Sequence, residues 1–147
     1  MKSGIPTDIL MSLLSFLMMA KQRIIAIGST HGLTAMQSMT LIILDNNQPR
    51  PMNALALTFG CDASNVTGII DGLEQKGLIY RTESRTDRRK KVILLTEAGL
   101  EHRRAIVAEM LGSNGSCLDT LDPTELEQLK AILAKLTVSC PGKRQAD

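Results

Sequence analysis

Residues 62–96 run DASNVTGIIDGLEQKGLIYRTESRTDRRKKVILLT, and they divide into a short helix, two strands and a cationic tip between the strands. Asp62 is placed to cap the helix, because its carboxylate can accept from the free N–H groups of the first turn. Val66, Ile69, Ile70 and Leu73 recur at i, i+3, i+4 and i+7, which makes one face apolar. Gly77 supplies the left-handed residue that ends a helix, with Leu78 folding back over it. The opposite face carries Ala63, Ser64, Asn65, Thr67, Gly68 and Asp71, small or hydrogen-bonding side chains on a thin rod. Such a rod has the dimensions to enter a DNA major groove. Ile79–Glu83 and Val92–Leu95 read as strands joined by Ser84–Lys91. Arg81, Arg85, Arg88, Arg89, Lys90 and Lys91 stand there against only Glu83 and Asp87. The whole chain has a formal charge of only +2, so this positive charge is local. A hairpin tip dense in arginine matches phosphate contact and minor-groove insertion.

Working outward, Met52 to Phe59 reads as a preceding short helix packing through Leu55, Ala56 and Phe59, and Gly60-Cys61-Asp62 as the tight turn between the pair. Two short helices joined by a three-residue glycine-containing turn have helix-turn-helix spacing. Upstream, Asp45 to Pro51 is a turn-rich connector. Before it, a second helix opens at Thr34, with Thr34 and Gln37 spaced as a capping box and Met39, Ile42 and Ile43 as its inward face. The first helix is expected over residues 7–27, capped by Thr7 or Asp8 and striped by Leu10, Leu13, Leu14 and Leu17, and Gly28 to Gly32 breaks the pattern. Met11, Phe16, Met18 and Met19 make that helix apolar on further faces, so it needs more than one neighbour, and a partner subunit is the natural second one. Downstream, Thr96 caps a fifth helix reaching about Leu111, and Gly112 to Ser116 is a break. A sixth helix then starts at Asp122, with Pro123 at its first position, Glu125 completing the box and Leu121 stapled to Leu126. Leu126, Leu129, Ile132, Leu133 and Leu136 form its stripe, and its end is expected near Val138.

Composition narrows the function classes. A chain of 147 residues is long enough to bury a core. Phe16, Phe59 and Tyr80 are its only aromatic residues, and it has no Trp. The core is therefore Leu, Ile, Met and Val, and base-stacking recognition of single strands or RNA is disfavoured. Cys61, Cys117 and Cys140 are too few and odd in number for a disulfide framework, which points to a reducing cytoplasm. The apolar run Ile9–Ala20 resembles a signal-peptide core, but Met18 is a poor match for the cleavage rule and the pattern resumes at Ile24. On length, the run falls short of the about 20 residues of a membrane span. No phosphate loop, metal-protease motif or nucleophile elbow occurs, so the expectation is no enzyme and no cofactor.

The order of elements, with Leu33-Thr-Ala-Met-Gln37, the Leu73-Glu-Gln-Lys-Gly-Leu78 helix ending, and Asp87-Arg-Arg89 leading into Leu95-Thr-Glu-Ala-Gly99, resembles the MarR family of winged-helix transcriptional regulators over roughly residues 8–138. The resemblance implies a mainly α fold with a small β-hairpin: a winged helix-turn-helix over 33–96, a helical dimerisation region over 1–32 and 97–140, and a disordered tail over 141–147. It implies a homodimer on double-stranded DNA, read as a ligand-responsive repressor on a pseudo-palindromic operator. By position, Ser64, Asn65 and Thr67 would meet base edges or phosphates. Arg89 would enter the minor groove, held by Asp87. Arg85, Arg88, Lys90 and Lys91 would contact phosphates, and Asn53 the DNA backbone. A small aromatic or phenolic effector would sit between the dimer helices and the winged region, near His31, Met36 and Met39. Gly68 and Gly72 depart from the family, standing where longer, often basic, side chains are usual.

Three alternatives stay open on the residues alone. Cys117 is the more exposed candidate for oxidant sensing, with Cys61 read as a buried small residue and Cys140 as incidental. His31 and His102 lie far apart and outside any metal-ligand spacing, so no metal is expected, and His102 reads as a solvated or interface side chain. A winged-helix protein-interaction module is the rival function, but it would not need so basic a hairpin.

Overall fold

The structure, a computed structural model, describes residues 6–112 and 117–139. The order is α1 (Thr7–Thr30), α2 (Ala35–Ile43), β1 (Arg50–Pro51), α3 (Met52–Phe59), α4 (Ala63–Gln75), β2 (Ile79–Glu83), β3 (Lys91–Leu95), α5 (Glu97–Leu111), a 3₁₀ turn (Cys117–Thr120) and α6 (Pro123–Ser139). This is the expected mainly helical fold with a small sheet, and a winged helix-turn-helix at its centre.

Leu41, Leu44, Leu55, Val66, Ile70, Leu73, Ile79, Ile93, Leu95 and Ile106 are buried together where α2, α3, α4, α5 and the sheet meet. The inward face of α2 differs from the expected one. Leu41 and Leu44 are fully buried, with Ser38 and Thr40, whereas Met39, Ile42 and Ile43 are half-buried. The hydroxyls of Ser38 and Thr40 donate to the carbonyls of Thr34 and Met36 one turn back, so neither is left without a partner in the core.

Two boundaries also move. α1 runs on through Gly28 to Thr30 rather than ending at Ile27, and its N-cap is Pro6 with no side-chain cap, not Thr7 or Asp8. Gly28 is a packing residue rather than a breaker, since a Cβ there would stand 2.6 Å from Ser38 Oγ and 3.1 Å from the Leu33 carbonyl oxygen. The length argument against a membrane span fails for the same reason. With Ile24, Ile25 and Ile27 included, the 24-residue α1 is long and apolar enough to cross a membrane. From Thr7 to Met19 every residue of α1 is exposed, and α6 exposes Leu126, Ile132, Leu133 and Leu136.

The connector after α2 hides a strand. β1 pairs antiparallel with β3, so the sheet has three strands in the order β1-β3-β2. A reciprocal clip pins the connector: Asn46 Nδ2 donates to the Leu95 carbonyl at 3.0 Å, and Leu95 N–H donates to Asn46 Oδ1 at 2.8 Å. The Thr34–Gln37 box, the Thr96 cap and the Asp122–Glu125 box all form as their sequences dictate. The expected disordered tail, 141–147, and Cys140 lie outside the described residues, as does most of the expected 112–116 break.

Candidate nucleic-acid interface

α4 is held at both ends. Asp62 Oδ1 accepts the Asn65 N–H at 3.0 Å and the Ser64 hydroxyl at 2.8 Å. Gly77, at φ +69°, lets Leu78 N–H return to the Leu73 carbonyl at 3.1 Å. Val66, Ile70 and Leu73 are buried, while Ala63, Ser64, Asn65, Thr67, Gly68 and Asp71 face solvent, as the periodicity predicts. The Thr67 hydroxyl donates to the Ala63 carbonyl at 2.8 Å, which leaves its methyl group and its oxygen lone pairs outward. That surface can accept a hydrogen bond or meet a thymine methyl group. Asn53 is exposed at the start of α3.

The cap carries a pH signature. The Asn65 N–H first, and the Ser64 hydroxyl second, hold the Asp62 carboxyl below its ordinary value. A carboxyl depressed on folding contributes stability that is complete above its unfolded value, about 3.9, and is lost as pH falls through the lower folded value. Asp62→Ala is therefore expected to melt below the wild type at neutral pH, with the two curves converging well below about pH 4. Thermal unfolding followed by circular dichroism across that range checks it, and a gap that persists in acid contradicts it.

Beyond β2 the wing is shaped by its own polar residues. Asp87 Oδ1 accepts the Arg89 backbone N–H at 3.1 Å, and the Asp87 carbonyl accepts the Lys90 N–H at 2.9 Å. Asp87 thus folds the tip and holds Arg89 by its backbone N–H, while its ion-pair partner is Lys90, at 4.0 Å. Arg85, Arg88, Arg89, Lys90 and Lys91 are all exposed.

Arg81 behaves differently from the rest of the basic run. Its guanidinium forks to Asp71 and Glu74 on α4, and its backbone N–H donates to Glu74 at 3.3 Å. The signal was in the strand alternation: Arg81 shares a face with Ile79, which is buried against α4.

The two glycines of α4 also separate. A Cβ at Gly72 would stand 2.6 Å from Gln37 Nε2, so this residue receives the first turn of α2. Around Gly68 nothing lies within 4 Å. Gly68→Ala is expected to stabilise the helix by about 1 kcal/mol, and Gly68→Arg to tighten DNA binding severalfold by adding a phosphate contact. Urea unfolding and a duplex titration measure the two, and an affinity unchanged by Gly68→Arg removes Gly68 from the interface.

The remaining candidates fall elsewhere. His31 Nε2 lies 2.8 Å from Glu109 Oε1, and the His31 and His102 rings meet edge to face at 5.9 Å. His102 is half-buried there rather than solvated. Met36 and Met39 are half-buried on α2. None of these lines the cleft of about 560 Å³ that opens on the outer face of the wing sheet between Asn47, Pro49, Tyr80, Thr82 and Leu94. Cys61 is half-buried against the core and Cys117 is exposed. Among the described residues no group of three metal-ligating side chains converges.

A family model described as MarR family matches residues 33–91, which cover α2, the helix-turn-helix and the wing. The transcriptional repressor MprA of Escherichia coli K12 is 37% identical over 105 residues, 69% of this chain and 57% of that protein. The crystal structure of CouR from Rhodococcus jostii RHA1, bound to p-coumaroyl-CoA, superposes with a TM-score of 0.73 at 28% identity, covering 91% of this chain and 95% of CouR. The chain belongs to the MarR family. This MarR-family chain also matches a point mutant of S. aureus MepR bound to an oligodeoxyribonucleotide, with a TM-score of 0.59 at 25% identity over 92% of this chain and 99% of that one. It spans 57 to 66% of the length of the first curated relatives it matches. The curated relatives are described as transcriptional regulators.

Proposed function

We propose that this MarR-family regulator binds double-stranded DNA in a sequence-specific manner, as a homodimer on a pseudo-palindromic operator, and represses transcription until a small aromatic or phenolic effector releases it. The observation that carries the reading is the pairing of a solvent-facing, uncharged N-terminal half of α4 with a wing tip whose Arg85, Arg88, Arg89, Lys90 and Lys91 all point into solvent. In this reading Asn65, Ser64 and Thr67 read bases or touch phosphates, Asn53 meets the backbone, Arg89 enters the minor groove, and the other wing cations neutralise phosphates. Asp87 fixes the tip. MepR in complex with an oligodeoxyribonucleotide supports the DNA partner, and CouR with p-coumaroyl-CoA supports an aromatic effector class.

Support for the dimer comes from the apolar residues that α1 and α6 leave exposed. Residues 1–32 and 97–140 form the dimerisation region in this reading, and 33–96 the DNA-binding region. Two α4 helices related by two-fold symmetry would enter successive major grooves about 34 Å apart. The effector would favour a dimer whose helix spacing no longer fits DNA. It would sit where α1, α2 and α5 converge, near His31, Met36 and Met39. Such a regulator works in the cytoplasm, where Cys117 is open to oxidants.

Selection of binding sites from random duplexes with the purified protein tests the reading. A two-fold symmetric motif is expected, with affinity falling steeply as salt rises and a clear preference over random sequence. Equal, salt-insensitive retention of all duplexes returns the chain to the protein-interaction alternative.

A further inference from the structure

We infer that Arg81 is not a DNA contact but a positioning residue, the clamp that fixes the wing root against the recognition helix and neutralises that helix's acidic end. This rests on the DNA-binding reading above. Asp71 and Glu74 are the only charged residues of α4, so between Ala63 and Gln75 the helix carries −2 with no cation of its own. A recognition helix of that charge repels phosphates. Asp71 and Glu74 lie three residues apart, on one edge of the helix. Arg81 reaches both carboxylates at once from β2, and its own N–H bonds Glu74. The guanidinium is the group suited to this, being planar, permanently charged and forked, where an ammonium is a point charge. The Arg81 side chain is 24% exposed, against 50% for Asp71 and 38% for Glu74, so it lies inside the pair rather than above it.

The consequence is geometric. β2 pairs with β3 from Ile79↔Leu95 to Glu83↔Lys91, and the basic tip Ser84–Lys90 hangs from the far end of that ladder. Arg81 stands at its middle, paired with Ile93. A fixed Arg81 therefore sets the direction in which the tip leaves α4, and so which minor-groove step the wing meets when α4 occupies the major groove.

The test uses the full chain and the duplex recovered by site selection, with titration and hydroxyl-radical footprinting at saturating protein. Arg81→Gln is expected to weaken binding about 30-fold. Arg81→Lys, of equal charge, is expected to lose about tenfold, because one ammonium cannot fork between two carboxylates. At saturation both should keep the major-groove protection and lose or smear the minor-groove protection. Adding Asp71→Asn and Glu74→Gln to Arg81→Gln should recover affinity by removing the repulsion, while the minor-groove footprint stays smeared. Arg81→Lys binding within twofold of the wild type, or a wild-type footprint in Arg81→Gln, overturns the inference and leaves Arg81 as a simple charge. A wild type that selects no site defeats the DNA reading instead. The clamp is then judged by amide exchange over Ile79–Glu83, which rises in Arg81→Gln if the clamp exists and is unchanged if it does not.

Discussion

Glutamate at both Leu13 and Leu133 turns the protein into a monomer that binds its selected duplex 10² to about 10⁴ times more weakly. The size of the effect follows from bivalency. One protomer presents one recognition helix and one wing. Joining two protomers makes the second engagement intramolecular, and separation of the dimer forfeits that gain. The two leucines are chosen because each lies on the exposed apolar stripe of its helix, Leu13 being 40% exposed and Leu133 49%. Burying a leucine side chain yields roughly 1.5–3 kcal/mol, and a carboxylate in its place must be desolvated without a partner. Sedimentation equilibrium and the duplex titration, run on the same samples, measure both halves. Helical circular dichroism should be retained, since neither side chain belongs to the buried core. A double variant that stays dimeric, or one that is monomeric yet binds as tightly as the wild type, refutes the proposed interface.

Gly99→Ala is expected to destabilise the fold by about 3 kcal/mol or more, which lowers Tm by roughly 6–12 °C in a domain of this size. The cause is a backbone contact. A Cβ at Gly99 would stand 1.9 Å from the Leu78 carbonyl oxygen, and that oxygen already accepts the Thr96 N–H at 3.0 Å. The Thr96 hydroxyl donates to the Gly77 carbonyl at 2.6 Å and accepts the Gly99 N–H at 3.0 Å. The end of α4 and the start of α5 are thus one hydrogen-bonded knot with no room for a methyl group. Because the two closest neighbours are backbone atoms of Leu78, no rotamer change relieves the clash. Gly68→Ala, on an open surface of α4, is the control and should move Tm upward. A Gly99→Ala variant melting with the wild type would mean that α5 can shift away from Leu78.

Local chemistry made much of this fold legible from the amino acids. The caps at Thr34, Asp62, Thr96 and Asp122 need only their own and the next few residues, and all four form. The apolar period of α4 and the alternation of the wing strands depend on burial of one face, so they too declare themselves locally. The family resemblance rested on the same residues and extended them to a site. β1 went unread because a two-residue strand has no periodicity of its own and exists only through its pairing with β3. The inward face of α2 is wider than the stripe of Met39, Ile42 and Ile43 because that helix is packed by α1, α4 and α5 together, so burial follows three neighbours rather than one stripe. Gly28 looks like a breaker in the sequence because its close neighbour, Ser38, comes from another helix.

By itself, then, the order of residues determined which segments other than β1 are helix or strand, where most of them start, and that cationic charge gathers on one hairpin. Each of those follows from interactions within a few positions of the chain. The tertiary structure alone decided that Arg81 leaves that cationic group to serve α4, and that Gly72 and Gly68 have opposite surroundings. Ionic and steric roles of this kind depend on which distant groups come within a few ångströms, and chain position does not encode that until the core has closed.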